Sequence, residues 1–150
     1  RKLENRALLT KNGADHVLID DGQLAEKVKT IFPSGVDKVL ELVGTATLKD
    51  SLQCTAQGGA VCMTGMLSEQ WSIREFAPME TIPATVHLTI YDSGQVRVDQ
   101  LSFQLFIRQV EAGLVKLNVS RSFKLSEISA AHQFMESNSA GGKIVVITDP

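Results

Sequence analysis

The chain has little of what nucleic-acid and membrane partners demand. Its net charge is −2, from 15 Lys and Arg against 17 Asp and Glu, and no basic stripe runs along it to track phosphates. Aromatic residues make up 5% of it, too few for a set of base-stacking platforms. No apolar run approaches the roughly 20 residues that cross a bilayer, and the first residues lack the apolar core of a signal peptide. Cysteine is equally scarce: Cys54 and Cys62 form no CxxC pair and stand beside no histidine pair. Such spacing builds neither a disulfide framework nor a zinc site, and reduced thiols in a cytoplasmic protein are expected. His16, His87 and His132 are scattered, with no serine or cysteine and acid at offsets that suit a hydrolytic triad.

What the chain does have is a repeating alternation. At 150 residues and 43% hydrophobic, it suits one domain with a real core. Residues 36–67 organise the rest. Val39, Leu40, Leu42 and Val43 form an apolar run suited to a strand covered on both faces. Gly44 stops the run, Thr45 and Thr47 are candidate helix caps, and Leu48, Leu52 and residues 54–56 follow at near-helical spacing. Gly58 and Gly59 are expected to close that helix, and residues 60–63 to form the next buried strand, ending at Thr64 and Gly65. Strand, crossover helix and strand in so short a span imply parallel pairing and a right-handed crossover.

The flanks extend the pattern. Residues 3–12 read as a helix with Leu3, Ala7 and Leu8 on one face and Gly13 as its stop. Residues 16–19 read as a strand, and 23–32 as a helix with Leu24, Val28 and Ile31 inward. Asp20 and Asp21 are expected to cap that helix. After residue 67 the pattern loosens into a loop over the strand ends, holding Trp71 and two prolines. A strand at 85–91, a helix at 99–112, a short extended piece at 123–125, a helix from Ser126 and a strand at 143–147 complete the chain. The order is that of an α/β fold, a doubly wound parallel sheet.

These words in this order resemble the medium-chain dehydrogenase/reductase superfamily, in its zinc-independent, quinone oxidoreductase-like branch. GADHVLID at 13–20, VDKVLELVGTATLKDSL at 36–52, GGAVCMTGML at 58–67 and FKLSEISAAHQFMESNSAGGKIVVI at 123–147 carry the resemblance. It implies a partial Rossmann-like sheet over 1–150. The first strand and the glycine-rich turn that seats the pyrophosphate lie outside this sequence. Residues 122–150 become the return segment that joins the catalytic domain in family members. In the strand order 3-2-1-4-5-6, the run 16–19 loses its neighbour and the run 39–43 keeps an open apolar edge. Strand addition into a homodimer, or rearrangement of 16–19, is therefore expected.

The same resemblance implies a nicotinamide cofactor and a small quinone or unsaturated carbonyl substrate. Ligands of such sheets sit beyond the carboxyl ends of the strands. That places Val43, Gly44 and Thr45, then Thr64, Gly65 and Met66, and finally Tyr91 along the cofactor. On the residues alone, Gly44 is equally a turn glycine, Thr45 equally a cap, and Tyr91 equally a half-buried packing residue. Arg1, Lys2 and Arg6 offer cations where an acid would favour NADH, so NADPH is expected. Lys143, after a glycine pair, reads either as a cofactor contact or as an exposed strand entrance. Glu41 inside a strand needs a buried partner. No catalytic side chain and no metal ligand is assigned. Three functions remain open: an NADPH-dependent reductase, an inactive nucleotide-fold fragment or interaction module, and the enoyl-reductase segment of a multidomain synthase.

Overall fold

Parallel pairing of two apolar strands across one helix fixes the first half of the molecule. The computed structural model describes residues 5–97, 99–137 and 139–148. It divides into two units, Arg1–Arg97 and Val98–Pro150. The first unit opens with helices α1 (Arg6–Lys11) and α2 (Leu24–Ile31), neither of which fully buries a residue. Strand β1 (Val36–Glu41), helix α3 (Thr45–Gln53) and strand β2 (Thr55–Met63) form the βαβ unit. The short helix α4 (Pro78–Thr81) and strand β3 (His87–Ile90) follow. The sheet order is β1-β2-β3, and both pairings are parallel.

The core of this unit lies where α3 meets the sheet. Leu48 and Leu52 from α3 pack with Val61 from β2 and with Val86, and Val39, Met63, Ile73, Ile82 and Leu88 close around them. Leu52 and Val61 are fully sealed. Burial of a side chain of this size contributes about 1.5–3 kcal/mol.

In the second unit, α5 (Gln100–Glu111) starts on Asp99, whose carboxylate accepts from the backbone N–H groups of Leu101 and Ser102. Strand β4 (Val119–Lys124), a single 3-10 turn, helix α6 (Ile128–Glu136) and strand β5 (Lys143–Ile147) make a second parallel βαβ unit. Phe123 and Ala131 are its buried centre, and the Arg121 guanidinium lies 4.7 Å from the centroid of the Phe123 ring.

Three expectations change. Residues 16–19 form no strand, because no neighbouring strand is present among the described residues to take their ladder bonds. Instead the Ile19 carbonyl accepts from Lys27 Nζ at 2.9 Å. Gly58 and Gly59 do not close α3, which ends at Gln53; they lie inside β2, where the pairing with β1 jumps from Val36↔Thr55 to Lys38↔Ala60. The glycines therefore belong to a bulge. Finally, β4 and β5 form their own two-stranded sheet rather than extending the three-stranded one.

Candidate functional site

Register brings the three strand ends into one row. Glu41 pairs with Met63, and Met63 with Ile90, so β1, β2 and β3 stop level with one another. Each ladder then continues by one bond: Thr64 N–H donates to the Glu41 carbonyl at 2.8 Å, and Tyr91 N–H to that of Met63 at 2.9 Å. The loops after the strands consequently run side by side along the carboxyl edge, where open α/β sheets bind ligands.

Two glycines let these loops touch. Gly44 has φ +101°, and a Cβ there would lie 2.8 Å from Met66 Sδ. At Gly65 a Cβ would run into the Leu42 carbonyl group. Both positions admit only glycine, one for its backbone angle and close packing, the other for close packing alone. The loop beyond is tied down as well. Ser68 N–H donates to the Val43 carbonyl at 2.9 Å, and the Thr45 hydroxyl donates to the Gln70 carbonyl.

Glu41 anchors this corner from beneath and is only 4% exposed. One carboxylate oxygen accepts from Val43 N–H at 2.7 Å, Gly44 N–H at 3.0 Å and the Thr47 hydroxyl at 3.0 Å; the other accepts from the Ser51 hydroxyl. Burial alone pushes its carboxyl up. The bonds from Ser51, Gly44, Val43 and Thr47 outweigh burial and hold it below the ordinary glutamate range. A negative charge also suits the start of α3, where N–H groups point outward. The partner that the sequence demanded for Glu41 is thus the strand-end turn itself. Thr45 and Thr47 do not cap α3 by side chain; their hydroxyls serve Gln70 and, mainly, Glu41.

Beside these loops lies an open cleft of about 400 Å³, within the usual range for small-molecule sites. Of the expected residues it gathers Thr64, Gly65, Met66 and Tyr91. Val43, Gly44 and Thr45 stand behind it, joined through the Gly44–Met66 approach. Trp71, Asp92 and Ser93 also line it and were not anticipated as site residues. Trp71 carried one signal, its place in a loop expected over the strand ends. Arg1 and Lys2 lie outside the described residues, while Arg6 is exposed at the start of α1. Lys143 is exposed at the entrance of β5, in the second unit. His16, whose ring packs edge-on to Phe32, His87 on β3 and His132 on α6 occupy separate elements. Asp20 and Asp21 hold the turn before α2, and Asp21 pairs with Lys27 at 2.6 Å. The cap of α2 comes from elsewhere: Asp50 on α3 accepts from Leu24 N–H at 2.9 Å and Ala25 N–H at 3.2 Å.

The zinc-binding dehydrogenase family matches residues 12–146. This chain belongs to that family. Within it, the chain falls in the quinone oxidoreductase-like branch of the medium-chain dehydrogenases/reductases. A 2-haloacrylate reductase from Burkholderia sp. is 32% identical over 148 residues, spanning 91% of this chain and 43% of the relative. A quinone oxidoreductase from Lama guanicoe is 23% identical over 150 residues, spanning 96% and 44%. The crystal structure of a 2-haloacrylate reductase superposes with a TM-score of 0.79 at 26% identity, covering 99% of this chain and 48% of that one. The chain therefore spans less than half the length of the relatives it matches. Despite the family's name, no three histidine, cysteine, aspartate or glutamate side chains cluster to hold a metal ion among the described residues. No helix among the described residues is long and apolar enough to cross a membrane.

Proposed function

We propose that this chain is part of the nucleotide-binding half of a zinc-independent, NADPH-dependent oxidoreductase that reduces quinones, enones or enals. The observation that carries it is the pair of strand-end loops, 43–45 and 64–66, packed backbone against backbone beside an open cleft at the carboxyl edge of a parallel sheet. When bound, the nicotinamide supplies the hydride. The chain's own residues bind and orient it. The backbones of Val43, Gly44, Thr45, Thr64, Gly65 and Met66 pack so closely that a side chain at either glycine would collide with the facing loop. Tyr91 lines the cleft. Glu41 holds the turn in place and touches neither partner. Arg1, Lys2 and Arg6 are the cations that would favour a 2′-phosphate. Residues 122–150 are the return segment toward the catalytic domain, and the whole protein works as a cytoplasmic homodimer.

The test is to follow loss of reduced-nicotinamide absorbance when the full-length protein is mixed with NADPH and, in turn, a quinone, an enone and an enal. Turnover with at least one acceptor, and a lower KM for NADPH than for NADH, are the expected results. No oxidation with any of the three would overturn the proposal.

A further inference from the structure

Four methionines are spread along the chain, and one of them covers a stretch of backbone that has no side chain of its own. The space that a Cβ on Gly44 would take lies 2.8 Å from Met66 Sδ, so the thioether rests on the bare turn in place of a side chain. That turn is densely bonded. Val43 and Gly44 N–H donate to the Glu41 carboxylate, and the Gly44 carbonyl accepts from Thr47 and Leu48 N–H at the start of α3. The Val43 carbonyl accepts from Ser68 N–H, the Glu41 carbonyl from Thr64 N–H, and the Gln70 carbonyl from the Thr45 hydroxyl. Each of these donors already has its acceptor. The other methionines are placed differently. Met79 is 96% exposed, Met135 is 52% exposed in the second unit, and Met63 packs against the core cluster. Met66 alone among them joins access to close packing on a glycine. It is half-buried and lines the open cleft, within reach of an oxidant as small as hydrogen peroxide.

We propose that Met66 is a reversible oxidation site: its conversion to the sulfoxide by a peroxide loosens the turn at residues 43–45, and its reduction restores that turn. In the forward step a sulfur lone pair attacks one peroxide oxygen, the S–O bond forms, the O–O bond breaks, and the second oxygen leaves as water with both protons. Sulfur gives up two electrons and the peroxide takes them. In the reverse step a dithiol, acting through methionine sulfoxide reductase, returns two electrons and two protons, becomes a disulfide, and the oxygen leaves as water. The oxidised side chain is larger and polar, where the thioether was apolar and adaptable. Its new oxygen needs hydrogen bonds, and none of the donors named above is free to give one, so water in the cleft draws the side chain away from Gly44. The glycine, which has the widest backbone freedom of any residue, is then left uncovered. No cofactor or substrate takes part, so the inference stands apart from the reductase reading.

The experiment treats the full-length protein with hydrogen peroxide and reads two signals: sulfoxide at each methionine by peptide mass spectrometry, and hydrogen exchange at the Gly44 and Ser68 amides. Met79 should oxidise first and leave both amides unchanged. Met66 should oxidise next, with exchange at both amides rising about tenfold. Methionine sulfoxide reductase with dithiothreitol should bring exchange back to its starting rate. Met66→Leu, a volume-conserving change, should keep its own untreated rate after peroxide, whereas Met63→Leu should respond as the parent does. Met66 sulfoxide with unchanged exchange would overturn the proposal, as would an equal rise in Met66→Leu or loss of the rise in Met63→Leu. So would a Met66 that stays reduced until the protein unfolds. The oxidation and exchange signals are read on the parent itself, so they decide the matter even where a variant does not fold.

Discussion

Glu41 shows how one buried carboxylate can set the geometry of a strand-end turn. Its four donors come from the turn that follows β1 and from α3, so truncation would leave buried N–H and O–H groups without an acceptor. Glu41→Ala should destabilise the chain by about 2–3 kcal/mol. Because the folded carboxyl gives up its proton at lower pH than the unfolded one, its stabilisation is complete above the unfolded value of about 4 and fades as pH falls through the folded value. Urea midpoints measured from neutral pH downward should therefore drop more steeply for the parent than for Glu41→Gln. Parallel curves would show that the carboxylate is not the linked group. Cys54 is the opposite case. Burial and the Asp50 charge, against the pull of Lys29, push its thiol up to about 11. The folded value is raised, so the neutral thiol's contribution is intact below the unfolded value and is lost as pH rises toward the folded one. At neutral pH a thiol reagent should label the half-buried Cys62 first and Cys54 only at the rate of unfolding. Equal labelling rates in the folded chain would contradict this.

At the scale of elements, the cap of α2 is the clearest case of a tertiary contact doing what local sequence does not. Gln23 at the N-cap offers no side-chain bond, and Asp50, 26 residues beyond Leu24, accepts from the Leu24 N–H in its place. Asp50→Ala should cost about 1 kcal/mol and speed hydrogen exchange at the Leu24 and Ala25 amides specifically. Unchanged exchange at those two amides would rule the cap out. The same case marks the limit of sequence reading. Asp20 and Asp21 sit where a local cap belongs, and nothing in the order of residues says that α3 will supply it. By contrast, β1, α3, β2, α6 and β5 were legible from their apolar runs and the spacing of their apolar residues. The end of α3 was not. Residues 54–56 keep helical spacing, but pairing of the Cys54 carbonyl with Val36 N–H at 2.9 Å commits them to the sheet. The paired glycines then act as a bulge that starts five residues past the true helix end. Residues 16–19 have strand composition, yet composition cannot supply a neighbour. At the site, Gly44 and Gly65 were readable as strand-end glycines. Trp71 was visible only as a loop residue, because its place in the cleft depends on the Gln70 and Ser68 bonds.

For the whole molecule the decisive feature is an edge. Among the described residues β1 has a strand partner on one side only, and a groove of about 280 Å³ is lined by Val39, Leu40, Leu42 and Val43 together with Leu24 and Asp50. Leu40 is 65% exposed and Leu42 is 50% exposed, which is apolar surface that an uncovered strand ordinarily avoids. The opposite edge, β3, is better protected: it is four residues long and is entered through Thr85 at φ +65°. A short strand with a kinked approach makes a poor template, whereas β1 is two residues longer and exposes Leu40. If the 150-residue chain self-associates by strand addition, β1 is the seam. Sedimentation velocity of the 150-residue chain should then show a concentration-dependent shift from monomer to dimer. Leu40→Lys, which places a charge on that edge without touching the sealed pair Leu52 and Val61, should hold the chain monomeric with an unchanged thermal midpoint in dilute solution. A parent chain that stays monomeric at every concentration, or a Leu40→Lys variant that dimerises as the parent does, would move the seam away from β1.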